Sequence, residues 1–117
     1  MAGKITHFEI IGKDSKNLRD FYSKLFDWQI KVETMGGGEY GMVETGAFPN
    51  GGITDPMPGM NNGVTVYVGV DDLDATLKNV EKMGGKTVVP PTEIPGVVTF
   101  ALFRDPSGNH IGLTKNM

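Results

Sequence analysis

A histidine and a glutamate stand two positions apart near the beginning of the sequence, and together they could move a proton. His7 and Glu9 belong to a segment, residues 5–11, that alternates as a β-strand does, with Phe8 and Ile10 on the other face. Strand residues two apart share a face, with about 6–7 Å between their Cα atoms. A carboxylate in a cup with apolar walls has its charged form disfavoured, which suits a general base. The spacing predicts proton abstraction next to a carbonyl group; the alternative is a structural pair with satisfied hydrogen bonds.

The pattern of strand, acidic cap and helix that carries this pair occurs a second time. Residues 5–25 and 64–83 match with an offset of 58 positions (65 − 7), which superposes Thr65 on His7. Thr65 and Tyr67 therefore lie on the equivalent face of the second module, where they either hydrogen-bond a ligand or fill the space themselves. Two similar βα modules usually enclose a working surface at the seam between them.

Other positions on later strands complete the predicted ligand-binding face. Tyr40 and Met42 follow the triple glycine at 36–38 and are expected to form a movable wall. The alternation of the last strand places His110 on the side of the predicted ligand-binding hollow, and we expect it at the mouth of that hollow. Gly112 leaves room for a substrate to sit deeper. The segment 97–104 is apolar on both faces and leaves open whether Phe100 or Phe103 faces the ligand. The catalytic candidates are thus Glu9 and His7, and the ligand-binding candidates are Thr65, Tyr67, Tyr40, Met42, Phe100, His110 and Gly112.

The elements that position these residues follow from periodicity and from helix and turn signals. Asp14 or Ser15 is expected to cap the first helix, and Asp71-Asp72 the second, which Gly84-Gly85 ends. The strand that starts at Lys86 is expected to stop at Pro90-Pro91. The first helix is predicted to bury one stripe (Leu18, Phe21, Tyr22, Leu25 and Phe26), and the second to turn Leu73, Leu77, Val80 and Met83 inward.

The resulting order is βαβββ followed by βαβββ. We expect an α+β fold in which eight strands form a curled mixed sheet around a cup, with the helices outside. The chain is interpreted as a single domain over residues 1–117. Module one covers about 4–55, a proline- and glycine-rich linker about 55–63, and module two about 63–117.

Composition excludes several classes of function. With 117 residues and 38% apolar residues the chain can bury a core, and no apolar run is long enough to cross a membrane. It has no cysteine, which excludes disulfides, thiolate nucleophiles and thiolate metal sites. A net charge of −3 with dispersed lysines gives no basic patch for nucleic acid or anionic lipid. We expect a cytoplasmic protein whose partner is a small molecule or a second copy of itself.

The chain resembles the vicinal oxygen chelate superfamily, which includes glyoxalase I, bleomycin-resistance proteins, fosfomycin-resistance enzymes and extradiol dioxygenases. The resemblance is closest to the small glyoxalase-related proteins whose chemistry is unassigned, and it implies the paired-module fold and a homodimer. The segments that carry it are Thr6-His7-Phe8-Glu9-Ile10, Asp20-Phe21-Tyr22, Leu25-Phe26-Asp27-Trp28, Tyr67-Val68-Gly69-Val70-Asp71-Asp72, Gly84-Gly85-Lys86 and Asp105-Pro106-Ser107-Gly108-Asn109.

The resemblance also raises the question of a metal ion. It implies one ligand, usually His, Glu or Gln, from the first and the last strand of each module. The first-strand positions are His7 and Thr65; the last-strand position is Gly112 in module two and lies near Thr54 or Asp55 in module one. Divalent sites normally need three or more protein ligands. No cofactor is therefore expected, and a divalent metal is disfavoured, although His7, Glu9 and His110 could form a non-standard site if they converge.

Three functions from different classes remain open. One is a metal-independent enzyme of isomerase, lyase or hydrolase type that acts on a small carbonyl compound, with Glu9 or His7 as the acid–base group. Another is a drug- or metabolite-binding protein of the bleomycin-resistance kind, although few aromatic residues lie outside the helices to stack on a planar ligand. The third is a non-catalytic dimer module. A metal-dependent glyoxalase- or dioxygenase-type enzyme with atypical ligands is a further alternative.

Overall fold

In the computed structural model, which describes residues 2–35 and 38–116, the chain forms two helices and eight strands in the expected order. The first βαβββ module consists of β1 (Lys4–Ile11), α1 (Ser15–Phe26), β2 (Gln29–Met35), β3 (Gly38–Glu44) and β4 (Gly51–Thr54). The second consists of β5 (Gly63–Val70), α2 (Leu73–Lys82), β6 (Lys86–Ile94), β7 (Val98–Arg104) and β8 (His110–Lys115). The fold class is therefore α+β with two βαβββ modules, as the sequence predicted. Gly36 and Gly37 of the triple glycine lie outside the described residues.

The chain divides into two compact units. One is His7–Thr65, and the other joins the residues up to Thr6 to those from Val66 onward. The beginning of β1 thus belongs with the second module, where the Thr6 hydroxyl lies 2.8 Å from the Thr114 hydroxyl. It also donates to the carbonyl oxygen of Tyr67 at 3.4 Å.

Each module pairs its first strand in parallel with its last. The strand order is β2-β3-β4-β1 in the first module and β5-β8-β7-β6 in the second. In the first, Glu9 of β1 is in register with Gly52 of β4, and in the second Tyr67 of β5 is in register with Gly112 of β8. The sequence repeat is therefore also a repeat of strand pairing.

Both helices begin, and the second ends, where the sequence placed their caps. The Asp14 carboxylate accepts from the amide of Asn17, and the Asp72 carboxylate accepts from the amide of Ala75. Gly84 follows the second helix at φ +95°, the left-handed conformation that ends many helices. In the second unit, Leu73 and Leu77 of α2 pack on Ala101 and Leu113 as the core.

The prediction that α1 buries one apolar stripe is wrong. Phe21 and Leu25 are 56% and 58% exposed, and Phe26 is also more than half exposed. The inner side of the helix instead buries Ser15 and Arg19. The methylene stem of Arg19 lies where a side chain at Gly41 would be, and its guanidinium group contacts the Ser15 hydroxyl and the Glu39 carboxylate, each at 3.3 Å. A long side chain can bury its stem when its charged head finds partners.

Two smaller expectations are also wrong. Met83 is 78% exposed rather than turned inward, because α2 has already ended at Lys82. β6 does not stop at Pro90 but continues to Ile94, with register shifts around the two prolines. Proline removes a backbone donor and is tolerated on an edge strand; β6 pairs only with β7 in its unit.

Neither described helix has the length or the apolar composition that crossing a membrane requires.

Candidate active site in the first module

Three side chains of the His7–Thr65 unit form one chain of hydrogen bonds. The Tyr40 hydroxyl donates to Glu9 Oε2 at 2.8 Å, and its oxygen lies 2.7 Å from Nε2 of His7. Alternation along β1 places His7 and Glu9 on one face, as the sequence predicted. The two residues are linked through Tyr40, which the sequence had treated as part of a wall.

Tyr40 reaches this position because β4 carries a glycine beneath it. β4 lies between β3, which holds Tyr40, and β1, which holds His7 and Glu9. The Tyr40 ring and hydroxyl occupy the space where a side chain at Gly52 would begin. Gly52 therefore lets a residue of β3 extend across β4 and contact β1. The signal that could have revealed this arrangement is a glycine on β4 two residues from Thr54, the register partner of Tyr40, but it can be recognised only once the strand register is known.

The direction of the Tyr40–Glu9 hydrogen bond determines the direction of the hydrogen bond between His7 and Tyr40. A phenol carries one hydroxyl proton, and in this geometry Tyr40 donates it to the Glu9 carboxylate. Nε2 of His7 must then carry the proton that it donates to the phenol oxygen, and Nδ1 is the acceptor nitrogen of the neutral ring. Burial lowers the pKa of His7 below its ordinary value, which keeps the imidazole neutral at neutral pH. The hydrogen bonds thus run from the imidazole N–H of His7 through the phenol of Tyr40 to the carboxylate of Glu9.

A shallow groove of about 320 Å³ lies on β2 and β3. Met42 is two residues from Tyr40 on β3 and shares its face, so the groove and the hydrogen-bonded chain lie on the same side of the sheet. Lys31 is paired with Glu33 at 3.4 Å. The residues that line the groove are Gln29, Ile30, Lys31, Glu33, Met42 and Glu44.

The predicted residues of the second module fall into a different arrangement. Thr65 and Tyr67 are both buried on β5. The Tyr67 ring fills the space above Gly112, so the room that the sequence assigned to a substrate at this glycine is already taken. His110 pairs with Arg104 at the start of β8 and is half-buried.

The orientation of β7 settles the choice between its two phenylalanines. Phe103 packs on the core cluster beneath α2. Phe100 is three positions away and therefore points to the opposite face, together with Leu102, which is in register with Gly112. Phe100 is thus the phenylalanine on the face where the sequence placed a ligand. That it contacts one stays a prediction.

The donor atoms do not fit the metal site of the resemblance. The strand register places the last-strand position of module one at Gly52, equivalent to Gly112 of module two, and not at Thr54 or Asp55. Asp55 instead accepts from the backbone amide of Ser15 at 2.8 Å, which lowers the pKa of its carboxyl. Glycine supplies no side-chain ligand. Within residues 2–35 and 38–116, no three His, Cys, Asp or Glu side chains are grouped to hold a metal ion.

The lowered pKa of His7 predicts a pH dependence of stability. Between the pKa in the folded protein and the ordinary value of about 6.5, the unfolded chain binds a proton that folded His7 does not. The contribution of His7 to the free energy of unfolding should therefore have its full value above pH ~6.5. The free energy of unfolding should decrease as the pH falls below that value. Urea unfolding across this range measures the slope. His7→Gln should remove this part of the slope, and an identical slope in the variant would contradict the assignment to His7.

Comparison with known proteins agrees with this architecture. Residues 4–113 match the model of the Glyoxalase/Bleomycin resistance protein/Dioxygenase superfamily. "Putative glyoxylase CFP32" of Mycobacterium tuberculosis is 38% identical over 85 residues, which cover 72% of this chain and 33% of that protein. A glyoxylase-like domain-containing protein of Didymella fabae is 31% identical over 116 residues, which cover 93% of this chain and 91% of that protein. The anthracycline biosynthesis protein DnrV of Streptomyces peucetius is 30% identical, with 86% and 42% covered. The chain thus spans about a third of the length of the mycobacterial relative.

Solved structures share the fold at low sequence identity. The hypothetical protein BH1468 of Bacillus halodurans superposes with a TM-score of 0.76 at 14% identity, covering all of this chain and 96% of that one. Methylmalonyl-CoA epimerase of Streptomyces coelicolor gives 0.74 at 15% identity, with 99% and 96% covered. The match to the family model spans nearly the whole chain, and the protein belongs to the Glyoxalase/Bleomycin resistance protein/Dioxygenase superfamily.

Proposed function

We propose that this protein is a metal-independent enzyme, of isomerase, lyase or hydrolase type, that acts on a small carbonyl compound. Glu9 is the general base, and His7 supports it through Tyr40. The observation that carries the proposal is the hydrogen-bonded chain His7–Tyr40–Glu9, which holds a carboxylate, a phenol and a neutral imidazole within 2.7–2.8 Å of their neighbours. General acid–base catalysis requires such proton donors and acceptors at hydrogen-bonding distance.

The chemistry of these groups favours removal of a proton from the carbon next to a carbonyl. A carboxylate accepts that proton, and the electrons it leaves behind delocalise onto the carbonyl oxygen. Return of the proton to the same carbon or to a neighbouring atom gives an isomer, whereas loss of a leaving group gives a lyase product. His7 and Glu9 both lie on β1, a rigid element, which keeps their separation fixed.

The solved relatives give this proposal a precedent. The Streptomyces enzyme is an epimerase, and an epimerase inverts a stereocentre, which removal and return of a proton can accomplish. A structure of methylmalonyl-CoA epimerase in complex with methylmalonyl-CoA shows that this fold can hold a carbonyl compound. At 15% identity the likeness extends to the fold alone, so the reaction class assigned to this chain rests on its own residues.

Deuterium exchange tests the proposal without knowledge of the natural substrate. A panel of small ketones, aldehydes and keto esters is incubated with the protein in D₂O, and NMR follows the loss of the signals of protons next to the carbonyl. At least one compound should exchange faster than in buffer containing the same concentration of free histidine. Exchange at the buffer rate for the whole panel would contradict the enzymatic proposal.

A binding protein without catalysis is the second candidate, and the groove on β2 and β3 favours it. The groove offers a cavity next to Tyr40 that Glu33, Met42 and Glu44 line. The relative DnrV is named for anthracycline biosynthesis, and a mixed polar and apolar groove suits a bulky organic compound. Saturable binding of a panel compound, with chemical-shift changes but without exchange, would favour this candidate over the enzyme.

Two expectations about the cellular form also remain proposals, namely a homodimer and a cytoplasmic location. Dimerisation would double the chain mass of 12.6 kDa. Closed homodimers are the commonest soluble oligomers, and the exposed Phe21 and Leu25 of α1 are apolar surface that a monomer leaves in water. Sedimentation equilibrium measures the mass directly, and a monomer at all concentrations would contradict the dimer.

A further inference from the structure

We propose that the Tyr40 hydroxyl is the acid of this site: it contacts the carbonyl oxygen of the bound compound and gives it a proton while Glu9 acts as the base. Gly52 is the positioning residue that makes this possible. The inference rests on the proposed function, and it names the second reacting group and the residue on which that group depends.

The position of the phenol supports this role. Tyr40 starts on β3 and ends at β1, so its hydroxyl lies beside Glu9 and within 2.7 Å of the His7 ring. The His7 and Tyr40 rings are nearly parallel, with 18° between their planes and 6.4 Å between their centres. The hydroxyl can turn about its C–O bond from the Glu9 carboxylate towards a ligand on the same face. This rotation frees a carboxylate oxygen at the moment when a base is needed.

The proton balance closes within the three residues and the ligand. A Glu9 oxygen takes the proton from the carbon next to the carbonyl, and the electron pair of that C–H bond forms a carbon–carbon double bond. The carbonyl π pair moves to oxygen, which takes the Tyr40 hydroxyl proton and completes an enol. His7 keeps its own proton and donates a hydrogen bond from Nε2 to the phenolate. In the reverse direction the enol returns its proton to Tyr40, and Glu9 returns a proton to carbon.

The glycine at the last-strand ligand position of module one gives this acid its purpose. A carbonyl group must be polarised before the neighbouring proton becomes acidic, and a bound cation is one way to do so. Here the position that would carry a ligand in module one is Gly52, and the phenol occupies that space. A hydrogen-bond donor aimed at the developing oxyanion is the other common solution, and removing one such donor lowers turnover by roughly 100- to 1,000-fold.

The test compares four variants in the deuterium-exchange assay, with the panel compound that wild-type protein exchanges fastest. Tyr40→Phe keeps the ring and removes the hydroxyl, and it should lower kcat by roughly 100- to 1,000-fold with little change in KM. Gly52→Ala places a methyl group in the space of the Tyr40 ring and should lower kcat in the same way. Tyr22→Phe and Gly38→Ala are the matched controls: Tyr22 stacks on Trp28, and a methyl group at Gly38 meets no atom within 4 Å. Both controls should exchange at the wild-type rate.

Two further measurements separate a chemical role of Tyr40 from a structural one. Gly52→Ala should lower the rate no further in a Tyr40→Phe background, because its effect on the rate comes from displacing a hydroxyl that Tyr40→Phe has already removed. Replacing Tyr40 with a fluorinated, more acidic tyrosine should move the alkaline limb of the pH–rate profile to lower pH. Wild-type turnover in Tyr40→Phe would overturn the inference. If Tyr40→Phe kept the wild-type rate while Glu9→Gln abolished exchange, the proposed function would stand and only the role of Tyr40 as acid would be wrong. If both variants kept the wild-type rate, the proposed function and the role of Tyr40 would both be wrong.

Discussion

Glu9→Gln is expected to lower the rate of catalysed deuterium exchange by roughly 100- to 10,000-fold, the usual contribution of a general base. The substitution removes the basic oxygen but keeps an acceptor for the Tyr40 hydroxyl, so the hydrogen bond at 2.8 Å can persist. The melting temperature should therefore change little. NMR-monitored exchange and differential scanning calorimetry on the same preparations measure the two quantities.

The matched control is Glu93→Gln, which removes the same charge from an exposed position on β6. It should exchange at the wild-type rate. A Glu9→Gln protein with wild-type exchange would show that the base lies elsewhere. A Glu9→Gln protein that has lost most of its stability would show that Glu9 serves the fold, as in the structural interpretation of the His–Glu pair.

Gly112→Glu is expected to destabilise the protein by roughly 3 kcal/mol or more rather than to create a metal ligand. The Tyr67 ring lies in the space where the new side chain would begin, and Tyr67 is itself only 5% exposed. The glutamate must either displace this ring or bury its charge without a partner, and both cost stability. For a chain of this length, the melting temperature should fall by about 10 °C or more.

Two other variants sharpen this prediction. Gly112→Ala introduces only the overlapping methyl group and should cost about 1–3 kcal/mol. Gly38→Glu adds the same side chain on open strand surface and should stay within about 0.5 kcal/mol of wild type. A Gly112→Glu protein with wild-type stability that binds nickel or zinc stoichiometrically would mean that the surroundings of Gly112 are more adaptable than the packing of Tyr67 implies.

The sequence predicted the fold well because its signals are local. Alternation along β1 placed His7 and Glu9 on one face, and the acidic caps and Gly84 marked the helix ends. The repeat at 58 positions reappears in the strand register, where Glu9 pairs with Gly52 as Tyr67 pairs with Gly112. Each of these features depends on residues that are close in sequence or on one repeated pattern.

The details of the site were less predictable because they depend on contacts between strands. Tyr40 bridges His7 and Glu9 only because β4 lies between β3 and β1 and carries Gly52 at the crossing point. The prediction of a buried apolar stripe on α1 was wrong for a similar reason. Hydrophobic periodicity ranks Phe21 and Leu25 as inward, but the space beneath α1 is taken by the stem of Arg19 above Gly41. Both the Tyr40 bridge and the burial of Arg19 depend on how the strands are aligned and on contacts between residues that are distant in the sequence.

The most direct test of the account is the exchange rate before and after removal of metal ions. Wild-type protein is dialysed against a strong chelator, its metal content is measured by mass spectrometry, and exchange of the best panel compound is followed in D₂O. Because the proposed chemistry uses Glu9, Tyr40 and His7 alone, the metal-free protein should exchange at the same rate, and adding zinc, nickel, manganese or magnesium should not raise it. A rate that falls to that of buffer on chelation and returns with one of these ions would contradict the account.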